Sequence, residues 1–216
     1  ATKTFNQVGG ALNLEATAVR LGLPAIHCTP LGSGPRADQI RAAMLAEGVQ
    51  IAAVEDYSNG DSGLCMTFVE PNGQRSFVTQ SGAEGLRDFR ELSSYDYSTD
   101  SWLVIYGYEL VYPTSRDAFW QLLDSGLINS KIVFDPGPTT AELSEEFLTW
   151  LGKNSTLISC NQSEYKKLAP YISSDVWLLL RKGAEGAELH HEGKVVAVAP
   201  GRKVPVVDTN GAGDIH

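Results

Sequence analysis

The sequence predicts a three-layer α/β/α sandwich with a mostly parallel central sheet and a small β-hairpin lid. Short apolar runs alternate with helical patterns between residues 102 and 180, which is typical of parallel strands joined by crossover helices. Upstream, an Asn-Gly pair lies between two arms of alternating apolar residues, which indicates a β-hairpin. The 216 residues are 43% apolar and 20% charged, a composition typical of a folded globular protein and not of a disordered chain.

The first elements predicted along the chain are two helices with a strand between them. Residues 13–21 have helical apolar spacing and are followed by Gly22, a frequent helix stop. A short apolar run over 24–28 predicts a strand, and residues 35–47 predict a second helix that ends before Gly48. On the first helix the residues at helical spacing are Leu14, Ala18 and Leu21. On the second, the side chains predicted to face inward are Ile40, Met44 and Leu45.

The hairpin is predicted from arms at residues 62–70 and 74–80 around the turn pair Asn72-Gly73. We expect it to protrude as a lid over residues 61–81. Its alternating apolar side chains suit either contact with a second subunit or packing on the chain's own core, and we expect the second. These side chains are Leu64, Met66 and Phe68.

The second half of the chain supplies the predicted sheet. Strands are predicted over residues 102–106, 131–134, 156–159 and 176–180, and helices over 115–123, 143–151 and 162–168. Two β-rich runs at 187–190 and 194–198, joined at Glu192-Gly193, predict an antiparallel hairpin at the sheet edge. No linker divides the sequence, so we expect a single domain over residues 1–216.

Composition excludes several classes of function. The net charge of −9 argues against a general affinity for nucleic acid or for an anionic membrane, since both require a basic surface. No stretch reaches the roughly 18 consecutive apolar residues of a membrane span, and the first ten residues lack a signal core, so a cytoplasmic location is expected. Cys28, Cys65 and Cys160 show no paired spacing, and we expect all three to be small buried hydrophobic residues.

The most informative segment is residues 208–214, which read DTNGAGD. Glycines let a backbone approach a ligand closely, and the free N–H groups at the start of a helix favour an anion. Asp214 would then lie beside the anion, able to accept a proton from an attacking hydroxyl. A Gly-rich turn with an Asp cap is the alternative for GAGD alone, but average composition gives D-T-x-G-A-G-D by chance in only about one such chain in 10⁵.

On this motif the sequence resembles the ribokinase-like, or PfkB, family of carbohydrate kinases. The resemblance implies that Asp214 is the catalytic base and that the backbone amides of Gly211, Ala212 and Gly213 form an anion hole. It also implies ATP as the phosphoryl donor and Mg²⁺ as a cofactor. The expected reaction is phosphorylation of a primary hydroxyl of a sugar or sugar acid.

A second family motif is a Gly-Gly pair followed by an Asn that opens a helix. Gly9, Gly10 and Asn13 match its shorter-spacer form, and the resemblance implies that they contact sugar hydroxyls. An Asn amide both donates and accepts hydrogen bonds, as sugar hydroxyls do. A helix N-terminal turn without a ligand is the alternative for these residues.

Two further matches concern the metal and the nucleotide. Asn161 and Glu164 correspond to the family's N-x-x-E pair, which organises magnesium and its waters; a helix cap is the alternative. Arg181 and Gly183, together with Asp208 and Thr209, are expected in the nucleotide pocket, although a solvated strand end is the simpler interpretation of Arg181 and Lys182. The stretch 135–138, DPGP, matches the family's D-x-N-x-R poorly, which weakens any transfer of roles to it.

The resemblance covers residues 9–214, but relatives are longer at both ends. We expect a fragment that lacks the first strand with its sugar-binding Asp and the helices after Asp214, and hence a poor catalyst by itself. The alternatives are a non-catalytic sugar- or nucleotide-binding protein of the same fold, and a kinase for a nucleoside or another small alcohol. Subunit pairing through the lid is a further expectation that the resemblance raises.

Overall fold

The computed structural model describes residues 7–52, 60–70, 75–205 and 211–214. The chain forms two compact units, one comprising Ala1–Arg87 with Thr209–His216 and the other Asp88–Asp208. That the whole chain behaves as one domain therefore stays a prediction.

The first unit contains two helices, a pair of short parallel strands and a separate hairpin. The helices and strands are α1 (Ala11–Arg20), β1 (Ile26–His27), α2 (Pro35–Ala46), β2 (Gln50–Ile51), β3 (Leu64–Val69) and β4 (Arg75–Gln80). Strand β1 is shorter than predicted, and β2, which the sequence analysis missed, pairs with it in parallel. Both strands have only two residues, too few for an apolar pattern to show.

The inward face predicted for α2 is confirmed for Met44, which is buried, and for Ile40, which packs against the same core, but it is wrong for Leu45. Leu12, Ala16 and Met44 form the small core with Val49, whereas Leu21 is 76% exposed and Leu45 is 68% exposed. Leu21 lies beyond the last helical residue of α1, so the helical period does not carry it to the buried face. Adjacent residues on a helix point about 100° apart, so Met44 and Leu45 cannot share the centre of one face.

The two hairpin arms are confirmed, although the packing expected of their side chains is not. Strands β3 and β4 pair antiparallel from Leu64 opposite Gln80 to Val69 opposite Arg75. The turn pair Asn72-Gly73 lies outside the described residues. Every residue of β3 is exposed, with Leu64, Met66 and Phe68 at 39%, 47% and 55%, so the expected packing of these side chains on the chain's own core is wrong.

The second unit is a six-stranded sheet with helices between its parallel strands. Its strands are β5 (Trp102–Tyr106), β6 (Lys131–Asp135), β7 (Leu157–Asn161), β8 (Trp177–Arg181), β9 (Gly186–His191) and β10 (Lys194–Pro200). The helices are α3 (Phe89–Leu92), α4 (Pro113–Asp124), α5 (Glu145–Asn154) and α6 (Gln162–Leu168). The spatial order is β10-β9-β8-β7-β6-β5, with β5 to β8 parallel and β9 and β10 antiparallel at the edge. The predicted parallel sheet and edge hairpin are confirmed.

The core of the second unit lies between the sheet and its helices. Phe134 and Ile158 on the strands and Leu122 and Leu151 on the helices are fully buried. Because the four parallel strands run in one direction, their carboxyl ends meet at one edge of the sheet, where Asp135, Asn161 and Arg181 are the last residues of β6, β7 and β8. In open α/β sheets this edge is where ligands bind.

The three cysteines differ in environment. Cys160 on β7 is buried, as predicted, whereas Cys28 is half-buried and Cys65 is exposed. Cys65 belongs to the hairpin strand that has no covered face, which explains why the prediction of burial is wrong there. No helix among the described residues is long and apolar enough to cross a membrane.

Candidate functional site

In the first unit, the N-terminal and C-terminal motifs come into direct contact. The Asn13 side-chain amide donates a hydrogen bond from Nδ2 to Oδ2 of Asp214 at 2.8 Å, although the two residues are 201 positions apart. Asn13 lies in the first turn of α1, and Asp214 ends the turn that begins at Gly211. The structure thus joins the predicted sugar-binding amide to the predicted base.

Two glycines make this approach feasible. Gly10 precedes α1 with φ +60, and its carbonyl accepts from the Asn13 N–H at 3.0 Å. Gly211 has φ +74, and a Cβ there would lie 2.7 Å from Asn13 Nδ2. An L side chain at position 211 would be strained and would also collide with the amide that holds Asp214. Gly9 is less constrained, since its Cβ would lie 3.9 Å from the same nitrogen.

The GAGD segment forms a tight turn, in which the Asp214 N–H donates to the Gly211 carbonyl at 3.0 Å. Ala212 and Gly213 are exposed. That their amides and that of Gly211 bind an anion stays a prediction. Asp208 and Thr209, predicted for the nucleotide pocket, lie outside the described residues.

In the second unit, a buried charged cluster lies at the carboxyl ends of β6, β7 and β8. The guanidinium of Arg181 donates from Nη1 to Asp135 Oδ2 and to the Ser159 hydroxyl, the latter at 2.9 Å. Its Nη2 donates to Glu164 Oε2 at 3.4 Å. Arg181 is only 9% exposed, so interpreting it as a solvated strand end is wrong.

Asn161 and Glu164 form a capping box at the start of α6. The Asn161 Oδ1 accepts from the backbone N–H groups of Ser163 and Glu164 at 2.8 and 3.0 Å. The Glu164 carboxylate accepts from the Asn161 backbone N–H and side-chain Nδ2, both at 2.7 Å. The capping interpretation is therefore confirmed, and any role toward a metal must be compatible with it.

Burial and charge set the protonation of this cluster. Burial raises the pKa of Glu164, and the nearby charge of Asp135 adds to it, while bonds from Asn161 and the charge of Arg181 oppose the rise. For Arg181, burial lowers the pKa, but the hydrogen bond and charge of Asp135 outweigh it and the net direction is upward. Burial, followed by the charge of Glu164, raises the pKa of the Cys160 thiol to about 12.

A pocket of about 220 Å³ opens beside the capping box. Polar side chains supply much of its wall. The lining residues are Pro138, Thr140, Asn161, Ser163, Glu164 and Lys167. Gly183, the remaining residue predicted for the nucleotide, begins a short 3-10 turn with φ +59 and has open space where a Cβ would be.

Sequence reasoning missed Asp135 and Ser159 as partners of this cluster. The stretch 135–138 fits the family's D-x-N-x-R motif poorly, so the motif predicts no role for Asp135. The signal that could have found both residues is positional: Asp135 and Ser159 lie at or near the carboxyl ends of neighbouring parallel strands, so their side chains can meet Arg181 at one sheet edge.

Comparison with known proteins agrees with the fold and the motifs. The profile described as pfkB family carbohydrate kinase matches residues 2–216. An uncharacterized sugar kinase of Escherichia coli (strain K12), YegV, is 30% identical over 229 residues, which cover 99% of this chain and 70% of the relative.

Solved structures share the architecture at lower identity. The fructokinase from Vibrio cholerae O395, bound to fructose, ADP and calcium ion, superposes with a TM-score of 0.70 at 17% identity, over 95% of this chain and 72% of its own. The aminoimidazole riboside kinase from Salmonella enterica, complexed with aminoimidazole riboside and an ATP analogue, superposes with a TM-score of 0.78 at 18% identity. The match covers 95% of this chain and 73% of that kinase. The predicted ribokinase-like α/β fold is confirmed.

Proposed function

The chain belongs to the pfkB family of carbohydrate kinases, and we propose that it transfers the γ-phosphoryl group of ATP to a primary hydroxyl of a sugar or sugar acid. The observation that carries the proposal is the 2.8 Å hydrogen bond between Asn13 and Asp214. It fixes one carboxylate oxygen of the proposed base with an amide that can also meet a polyol.

In the proposed reaction, Asp214 accepts the proton of the substrate hydroxyl as the hydroxyl oxygen forms its bond to the γ-phosphorus. The bond between that phosphorus and the bridging oxygen breaks, and its electron pair leaves with ADP. The amides of Gly211, Ala212 and Gly213 would donate to the phosphoryl oxygens as charge spreads over them. Exposure of Ala212 and Gly213 is consistent with this role. Gly9 and Gly10 leave room for the sugar next to Asn13.

A magnesium ion would be held through its waters by Asn161 and Glu164. Both Glu164 oxygens already accept hydrogen bonds, and no group of three His, Cys, Asp or Glu suited to a metal occurs among the described residues. A carboxylate that is already bonded can still accept from water, which fits an outer-sphere role for Mg²⁺. When bound, the ion would neutralise charge on the transferring phosphates.

The nucleotide is proposed to contact Gly183, Asp208 and Thr209. Support for Gly183 comes from its open surroundings and its place just after β8, at the edge of the sheet where ligands bind in this fold class. The resemblance predicts Arg181 for the same pocket, but its hydrogen bonds to Asp135, Ser159 and Glu164 suit a different role. Dependence on ATP favours action in the cytoplasm.

We also propose that two copies of the chain pair through their hairpins. Both arms expose large apolar side chains to solvent, and contact with a second copy of the chain would bury this apolar surface. The exposed residues on the two strands are Leu64, Met66, Phe68, Val69, Phe77 and Val78.

The test is a coupled ADP-release assay with magnesium against a panel of sugars, sugar acids and nucleosides. Replacing Asp214 with Asn should lower kcat about 10²- to 10⁴-fold, the usual contribution of a general base, while calorimetry still detects binding of the best substrate. Asp117→Asn, on the exposed face of α4, is the matched control and should turn over normally. Normal turnover by Asp214→Asn would remove Asp214 from its role. Sugar binding without ADP release across the panel would favour a non-catalytic binding protein.

A further inference from the structure

The Arg181 guanidinium joins three separate elements of the second unit. Its own strand is β8, and its acceptors are Asp135 at the end of β6, Ser159 on β7 and Glu164 in α6. The two carboxylates are themselves nearly buried, with side-chain exposures of 13% for Asp135 and 8% for Glu164. Such a buried cation between two anions attracts and orients both carboxylates.

We propose that Arg181 is a positioning residue, whose guanidinium holds the Glu164 carboxylate in the orientation that receives the waters of the nucleotide-bound magnesium ion. The proposal rests on the proposed function. It replaces the predicted phosphate contact of Arg181 with an action through Glu164.

The contacts of Arg181 argue against a phosphate ligand. Nη1 has two N–H groups, and Asp135 and Ser159 accept from it. With both carboxylates ionised the cluster carries a net charge of −1, which repels a phosphate and attracts a cation. The neighbouring Lys182 does not share this environment, because its ammonium pairs with Glu188 at 2.8 Å and with Glu185 at 3.4 Å outside the cluster.

Glu164 depends on Arg181 for a reason that the capping box does not remove. Asn161 fixes both carboxylate oxygens through neutral donors, whereas Arg181 is a cation whose guanidinium also donates to Glu164 Oε2. Without the guanidinium, Glu164 would lose this charged donor while the negative charge of Asp135 remained, so the Glu164 carboxylate would turn away. That movement would take the carboxylate oxygens away from the waters of an outer-sphere magnesium ion.

The experiment is a calorimetric titration of ATP into the protein in the presence of either excess Mg²⁺ or EDTA. The wild-type protein should bind ATP more tightly with magnesium. Arg181→Met should leave the affinity for metal-free ATP unchanged but weaken the affinity for ATP in excess Mg²⁺ by up to about 10- to 100-fold, the range by which losing a residue that supports a metal ligand lowers metal affinity. Lys182→Met is the matched control, because it removes the adjacent cation without touching the cluster, and it should keep the full magnesium effect.

Two further variants keep the test decisive. If Arg181→Met does not fold, the double variant Asp135→Asn with Arg181→Met should, because it leaves one buried carboxylate without a counter-charge instead of two. The double variant should still show a reduced magnesium effect, because the guanidinium donor to Glu164 is absent even though the repulsion from Asp135 is gone. Arg181→Lys retains the charge but not the planar fork, so it should restore the effect only in part.

The outcomes separate this proposal from the proposed function. Equal weakening of metal-free and magnesium-bound ATP would identify a direct phosphate contact and overturn the proposal. Retention of the full magnesium effect by Arg181→Met would overturn it as well, as would a wild-type protein that binds ATP equally with and without the metal. Because the titration needs no turnover, magnesium-dependent ATP binding without ADP release on any substrate would refute the kinase activity and leave the role of Arg181 standing.

Discussion

Replacing Gly211 with Ala should disable the enzyme through Asn13 and not through the backbone alone. The glycine has φ +74, and the added methyl group would lie 2.7 Å from Asn13 Nδ2, closer than nonbonded atoms tolerate. The Asn13 side chain must therefore move, and its 2.8 Å bond to Asp214 breaks.

The magnitude has two parts. An L residue in the left-handed region costs about 1–2 kcal/mol of stability, partly offset by about 0.4–1 kcal/mol from the stiffer unfolded chain. Loss of a hydrogen bond to a charged group is worth about 1.5–3 kcal/mol. If that loss falls on the transition state, at 1.36 kcal/mol per factor of ten kcat/KM drops about 10- to 150-fold.

A matched control and a double-mutant cycle isolate the cause. Gly126 has nearly the same backbone angle, φ +73, but nothing lies within 4 Å of its Cβ position, so Gly126→Ala should show the strain in a thermal melt without a loss of kcat/KM. Asn13→Ala removes the atom that collides, so adding Gly211→Ala to it should cost little further activity. The reasoning is refuted if Gly211→Ala lowers kcat/KM by the same factor with Asn13 present and absent.

Two more predictions concern the cores and the cysteines. Met44→Ala should lower the free energy of unfolding by about 2–5 kcal/mol, because the Met44 side chain is only 2% exposed. Leu45 is 68% exposed, so Leu45→Ala should change the free energy of unfolding by no more than about 0.5 kcal/mol. Equal losses for the two variants in a urea titration would contradict the burial pattern. With a thiol reagent at pH 8, the exposed Cys65 should react first and Cys160 last, because burial raises the pKa of the Cys160 thiol to about 12 and keeps it protonated at that pH. Mass spectrometry follows the order of labelling, and early labelling of Cys160 would refute the prediction.

The sequence predicts well those elements whose pattern is local. Strand β5 and helix α6 have the predicted bounds, and the hairpin arms differ from prediction by only a few residues, because apolar runs, caps and turn residues mark them directly. The buried face of α2 is predicted in part, through Ile40 and Met44, whereas the helical spacing in α1 does not identify its buried residues, Leu12 and Ala16. Which side of a short helix is covered depends on the neighbouring elements, and a few apolar residues near each helix end do not settle it.

The candidate site shows the same division. The motifs identify Asn13 and Asp214 through the family resemblance, but their direct hydrogen bond depends on how the chain closes across 201 positions. The buried hydrogen bonds of Arg181 depend on side chains from adjacent strands, and no local sequence pattern predicts them. Comparison with the family motif gives Asp135 no role. In the structure, Asp135 accepts a hydrogen bond from Arg181, because the two strands end at the same edge of the sheet.

The contact between Asn13 and Asp214 has a consequence for synthesis on the ribosome. The amide is made early, whereas its carboxylate partner is added 201 residues later. A nascent or prematurely terminated chain that ends before Asp214 lacks the proposed proton acceptor beside Asn13. Under the proposed function, chains that end before Asp214 would not transfer the γ-phosphoryl group of ATP. The activity would begin only when translation has passed Asp214.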